Sequence, residues 1–311
     1  MRPLQNRFPR LAAFATDLLC RRPLLRAIAR IGPNLVVAQG MTPLGRVASS
    51  ISRRVGARLV FMERDGRLLS NRWVEERRTY VNSFAQRADT VFVVGGPSAE
   101  VLRRNGVRNA VHLPNGVDYE QVNCSVEARP SDEQGRFVIL WSGGLQPEKA
   151  LAETIQAAAR LASEGPVTLL AVGASGYVHH QTLPPTLRLR ILPLIPQPSL
   201  FAMISWADVI AVPSWQEAWG NVAVEAMAAG RPVVVSTDSG VGAKVTHQVN
   251  GWVVPPRDIE ALCGALRYIR DHHVEAENIA SAGRTFAESL SWRNHALQLL
   301  SSRRELELEP D

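Results

Sequence analysis

From residue 34 onward, short runs of β-branched and other apolar residues alternate with longer stretches whose apolar positions recur every three or four residues. That alternation predicts βα units on a parallel sheet. Strands are expected at 34–38, 58–61, 90–94 and 110–113, with helices at 43–55, 71–87 and 97–105. A second series places strands at 137–141, 167–172, 188–192, 209–212 and 231–236, interleaved with helices such as 148–163, 199–206 and 221–229. Between the series, the polar stretch 119–136 carries Pro130 and Gly135 and reads as a linker. The expected fold class is therefore α/β, with two doubly wound lobes in one chain and no short-period repeat.

Composition narrows the function classes. The chain has 311 residues, 46% hydrophobic and 21% charged, as in ordinary globular proteins. Cys20, Cys124 and Cys263 are scattered and odd in number, which excludes a disulfide scaffold and points to a reducing, cytoplasmic setting. The net charge of +6 is local: residues 1–30 hold seven arginines against Asp17 alone, and the remainder balances. With only 6% aromatic residues and a neutral body, a nucleic-acid partner is not expected. The basic head has no Ser in its first 30 residues, unlike a transit peptide, and Asp17 interrupts its apolar run, unlike a secretory signal. Pro23, Leu24, Leu25, Ile28 and Ile31 fit a basic amphipathic helix, either packed on its own domain or adsorbed to an anionic membrane surface through residues 1–31. No stretch reaches the length of a membrane span.

In open α/β sheets, ligands bind beyond the carboxyl ends of the strands, so chemistry is sought in the loops that lead into helices. Gly143-Gly144-Leu145-Gln146-Pro147-Glu148-Lys149 follows one expected strand. Paired glycines admit close approach of a ligand, and an ammonium beside helix-start amides favours an anion; the same spacing also serves a plain turn with a solvated lysine. Lys149 is one of only two lysines, the other being Lys244. The second candidate runs from Val212 to Pro232, with Asn221 as expected N-cap, Gly220 to Val222 offering free amides, and Glu217 and Glu225 directed toward one cleft. On spacing alone, Glu217 also fits a dipole partner and Glu225 a surface residue. Val94-Gly95-Gly96 and Val172-Gly173-Ala174-Ser175-Gly176 do not complete a dinucleotide fingerprint, His179-His180 and His272-His273 cannot each share one metal from a helix, and no Asp-x-Asp, HExxH or Walker sequence occurs.

Taken together, these residues resemble the family-4 retaining glycosyltransferases, which have the GT-B fold of two facing Rossmann-like lobes. The resemblance rests on residues 143–149, Ala-Asp-Val-Ile-Ala-Val-Pro-Ser (207–214), the Glu217/Glu225 pair, Glu-Ala-Met-Ala-Ala-Gly-Arg-Pro-Val-Val (225–234), Asn-Gly-Trp-Val-Val-Pro-Pro-Arg-Asp (250–258) and Pro-Asn-Gly-Val-Asp (114–118). It implies an acceptor lobe at 1–118, a nucleotide-sugar lobe at 137–285, and a terminal segment, 286–311, crossing back to the first lobe. It further implies that Glu225 holds the ribose, Glu217 the donor sugar, and Lys149 with Gly143, Gly144 and the amides of Gly220, Asn221 and Val222 the diphosphate, with no metal or other cofactor. The expected partners are a nucleotide-diphosphate sugar and a polysaccharide or lipid-linked glycan acceptor at the inner membrane face. Two departures stand out: Gly144 occupies the place of the family's usual arginine, and the first lobe reads short, with no histidine before His112. They keep a second function class in view, a truncated homologue that binds nucleotide or a partner without catalysis.

Overall fold

The computed structural model describes residues 23, 26–28, 30–40, 43–64, 85–180 and 182–305. Most of the basic head and most of the helix expected at 71–87 lie outside them; within the head, residues 23, 26–28, 30 and 31 are helical and Ile31 is exposed. The described chain divides into two compact units at Leu113/Pro114.

Unit 1 is a four-stranded parallel sheet in the order β1-β2-β3-β4, formed by Leu35–Gln39, Arg58–Glu63, Thr90–Val93 and Ala110–His112. Its connections include α1 (Pro43–Val55) and α2 (Gly96–Arg104), the latter opening on Gly95 with Pro97 in its first turn. The core gathers Leu59, Phe61, Val91, Val93, Leu102 and Val107. Asp89 joins two strands by accepting the Leu59 amide at 2.6 Å.

Unit 2 carries six parallel strands: β5 (Phe137–Ser142), β6 (Val167–Val172), β7 (Leu187–Leu192), β8 (Val209–Val212), β9 (Val233–Ser236) and β10 (Trp252–Val254). Their spatial order is β10-β9-β8-β5-β6-β7, so the chain starts in the middle, runs outward to β7, returns beside β5 and continues to the other edge. This is the doubly wound dinucleotide-fold order, and its switch point lies between β5 and β8. Its helices are α3 (Tyr119–Cys124), α4 (Leu151–Ala162), α5 (Gln197–Trp206), α6 (Asn221–Ala228), α7 (Ile259–Asp271), α8 (His273–Glu288) and α9 (Trp292–Glu305). β5, β6, β8 and β9 are apolar and buried nearly throughout, as strands covered on both faces must be.

Several expectations shift. The helix expected at 148–163 starts at Leu151, because Pro147–Lys149 forms a 3-10 turn and Ala150 then takes a left-handed conformation at φ 57°. Arg231 belongs to the end of α6 rather than to β9: Gly230 (φ 68°) donates to Met227 O at 2.8 Å and Arg231 to Ala226 O at 2.9 Å, a Schellman closure. Strand β10 was not foreseen. The stretch 119–136, expected as a linker, is fastened to unit 2: α3 is capped by Asp118, Arg129 grips Asp208 at 2.9 Å, and buried Glu133 accepts from Thr168 at 2.6 Å and Arg190 at 3.0 Å. Residues 114–118 are likewise held within unit 2, where Val117 donates to Leu290 O at 2.7 Å and His295 lies 2.6 Å from Pro114 O. A side chain at Gly116 would collide with the Trp292 backbone at 2.6 Å, which accounts for the glycine.

Candidate functional site

The carboxyl ends of β5 and β8 flank the switch point, and each releases one of the two loops singled out in the sequence. Gly143 continues β5 by donating to Val172 O at 3.1 Å, and behind it Gly173 (φ 82°) approaches so closely that a Cβ there would lie 2.5 Å from Gly143 O. The turn is thus fixed by glycine on both sides. At Gly144 a Cβ would meet only the end of the flexible Gln146 side chain, which can move aside. Lys149 is anchored by its own backbone, since its carbonyl accepts from the Trp141 indole at 2.9 Å.

The β8 loop comes alongside. The Trp215 amide donates to Glu148 O at 3.0 Å, and the Lys149 ammonium meets the Glu217 carboxylate at 2.5 Å. Both side chains remain reachable by solvent, at 28% and 18% exposure. Glu217 is supported from behind by the loop after β9, where Gly240 donates to Glu217 O at 3.1 Å. Gly240 cannot be larger, because a Cβ would sit 2.1 Å from Ala218 O.

Helix α6 begins where this loop ends. Its N-cap is Gly220, in a left-handed conformation at φ 104°, and Asn221 is the first helical residue rather than the cap. Only glycine enters α6 at this angle, next to Val241 at 3.0 Å, so the capping role that an asparagine side chain normally fills is not needed here. The Asn221 side chain instead accepts from Asn115 Nδ2 at 3.0 Å. The first amide to bond back into the helix is that of Ala223, to Gly220 O at 3.1 Å, which leaves the amides of Gly220, Asn221 and Val222 at the positive end of the helix.

Glu225 is the fifth residue of α6. Burial raises its carboxyl above 4.5, a shift only partly opposed by the hydrogen bond it accepts from Gln197 Nε2 at 3.0 Å. The structure thus joins Gly143, Lys149, Glu217 and Gly220 into one contiguous group and sets Glu225 a turn further along, in the company of Gln197. Gln197 was not foreseen, and Asn115 was seen only as part of the 114–118 motif. Gln197 opens α5 directly after β7, so the rule that led to the other two loops also reaches it. Trp215 was seen only as part of its loop. The Arg257 guanidinium, from a left-handed residue (φ 62°) after β10, stacks on its ring at 3.7 Å. Among the described residues, no three His, Cys, Asp or Glu side chains are grouped to hold a metal ion, and no helix is long and apolar enough to cross a membrane.

Two parallel α/β units in one chain match the GT-B fold. Residues 2–121 match Glycosyltransferase Family 4, and residues 136–272 match Glycosyl transferases group 1. The chain belongs to the family-4 glycosyltransferases of the GT-B fold. Among curated relatives, it is 28% identical over 285 residues to a D-inositol 3-phosphate glycosyltransferase of Rhodococcus erythropolis, covering 87% of this chain and 59% of that protein. The chain thus spans about six-tenths of the length of that relative. Of solved structures, HepE of Anabaena in complex with UDP superposes with a TM-score of 0.76 at 22% identity, covering 91% of this chain and 82% of HepE. A sucrose-phosphate synthase of Thermosynechococcus elongatus gives a TM-score of 0.77 at 23% identity, covering 96% of this chain and 79% of its own.

Proposed function

We propose that this chain transfers a sugar from a nucleotide-diphosphate donor, bound at the carboxyl ends of β5 and β8, to a polysaccharide or lipid-linked glycan acceptor, with retention at the anomeric carbon. The observation that carries the reading is the Lys149–Glu217 pair, which brings the two switch-point loops together. HepE, solved with UDP and with UDP-glucose, supports the donor class.

In this reading the pair opens when the donor arrives. Lys149 turns from Glu217 to the diphosphate, joined by the amides of Gly220, Asn221 and Val222, while Gly143 and Gly144 let the phosphates approach the backbone. Glu217, released, accepts hydrogen bonds from the sugar hydroxyls, and Glu225 accepts from the ribose. As the glycosidic bond to phosphate breaks, negative charge grows on the leaving diphosphate, and Lys149 with the head of α6 stabilises it; removing one such preorganised donor costs about 100- to 1000-fold in rate. The acceptor oxygen attacks from the face the leaving group vacates and gives its proton to a departing phosphate oxygen. The diphosphate charge is met by these groups without a metal ion. The basic head, residues 1–31, serves in this proposal to hold the protein at an anionic membrane face where a lipid-linked acceptor resides.

The test is to incubate the purified chain with a panel of nucleotide sugars and candidate acceptors and measure nucleotide release, alongside Lys149→Met and Glu217→Gln. Release that falls at least 100-fold in Lys149→Met, with nucleotide affinity in Glu217→Gln changed much less than its turnover, supports the reading. Binding of nucleotide without release from any donor would instead favour a binding protein without catalysis.

A further inference from the structure

The opposite end of unit 2, at the amino ends of the strands, has a second cleft that the proposed donor site does not use. It encloses about 570 Å³ between the start of β5, the turn after α6 and the junction of α7 with α8. Arg136, Arg231 and Arg270 line it, together with the carboxylates of Glu164, Asp208 and Glu277.

Two of the three carboxylates are already committed. Glu164 is gripped by Arg267 at 2.6 Å and Arg270 at 2.7 Å, whose hydrogen bonds push its carboxyl down to about 2. Asp208 takes both prongs of Arg129 at 2.9 Å and the Val138 amide at 2.6 Å. Glu277 lies 3.6 Å from His273.

The cations are not matched in the same way. Arg136 spends its donors on neutral acceptors, the Thr168 hydroxyl and the carbonyls of Val167 and Thr186. Arg231 makes no ion pair among the described residues, and its buried Nε has no hydrogen-bond partner. Arg270 keeps one buried nitrogen, Nη1, without a partner, although Nε and Nη2 are held by Asp271 and Glu164. Burial lowers the pKa of Arg231 from its ordinary value, yet the group stays charged. A cleft lined by guanidinium groups with N–H donors still unspent, two of whose three carboxylates are already paired, attracts an oxyanion, and the planar guanidinium fork suits phosphate oxygens.

We propose that this cleft binds a phosphate group, free or as a small phosphate ester, between Arg231 and Arg270. Its place in the fold gives such a ligand leverage. Arg231 closes the tail of α6, and the head of the same helix carries the amides and Glu225 of the candidate donor site. The binding proposal itself does not depend on the donor-site reading.

Titration calorimetry on the full chain at constant ionic strength, with inorganic phosphate and with glycerol 3-phosphate as probes, tests it. Saturable binding of either probe that Arg231→Gln and Arg270→Gln each weaken about tenfold or more, and that Lys149→Met leaves unchanged, is the expected result. The better-bound probe identifies the source of the phosphate. Should one variant fail to fold, as judged by circular dichroism, the other decides. No binding of either probe to the wild type, wild-type binding in the folded arginine variants, or loss of binding in Lys149→Met would overturn the proposal.

Discussion

Burial on α6 raises the Glu225 carboxyl above 4.5 even though the Gln197 amide donates to it. The folded state therefore holds a proton at a pH where the unfolded chain has already lost it. The stability this provides is complete below the ordinary carboxylate value and is lost as pH rises through the raised one. Replacing Glu225 by Gln is expected to flatten that decline in urea midpoints followed from about pH 4 to pH 8; a pH slope equal to wild type would contradict the burial argument. In calorimetry, the same variant is expected to bind nucleotide about 10- to 100-fold more weakly, the cost of losing hydrogen bonds to a charged group. Glu133 behaves in the opposite sense. Burial acts to raise its carboxyl, but hydrogen bonds from Thr168 and Arg190 and the charge of Arg188 prevail and hold it below 4.5. Its contribution is present above the ordinary carboxylate value and is lost as pH falls through the lowered one. Glu133→Ala, which removes hydrogen bonds to a charged group while leaving the half-exposed Arg188 and Arg190 partly solvated, is expected to cost about 1.5 to 3 kcal/mol at neutral pH and to blunt acid unfolding. A loss under about 1 kcal/mol would reduce the cluster to an ordinary surface ion pair.

At the scale of elements, the turn between β5 and α4 depends on Gly173. Alanine there would place a Cβ 2.5 Å from Gly143 O at a φ of 82°, so Gly173→Ala is expected to destabilise by about 1 to 3 kcal/mol and to displace Gly143 from the site. Denaturant midpoints and nucleotide affinity should fall together, and an unchanged affinity would separate the turn from the site. The buried strands were legible in the sequence because a strand covered on both faces must be a nearly unbroken apolar run. Strand β10 was not, since three residues between Gly251 and Pro255 carry too little periodicity. The start of α4 was misread because Ala150 takes a left-handed conformation that alanine does not advertise. Lys149 and Glu217 could be found because loops after strands are few and charged residues in them stand out. Their direct contact, across 68 positions of sequence, could not. Gln197 and Asn115 act on partners 28 and 106 residues away, and Glu133 on arginines more than 50 residues downstream, so local pattern carries no trace of these pairings. That is why a fastened segment read as a linker.

For the molecule as a whole, the two sheets have separate cores. A nucleotide sugar at 100 times its Kd is expected to stabilise the unit that binds it by about 2.7 kcal/mol. Hydrogen exchange should accordingly slow in β5, β8 and α6, with β2 and β3 unaffected; equal slowing in both sheets would speak against a donor site confined to unit 2. The closed contact of Lys149 with Glu217 has a consequence for selectivity in a phosphate-rich solution. A simple anion that captures Lys149 strands Glu217 without its partner, and a neutral sugar that engages Glu217 strands Lys149. Only a molecule carrying phosphate and hydroxyl groups at the correct separation compensates both halves at once. In the proposed donor site, a nucleotide sugar is therefore expected to be favoured over an anion or a sugar that engages only one half of the pair.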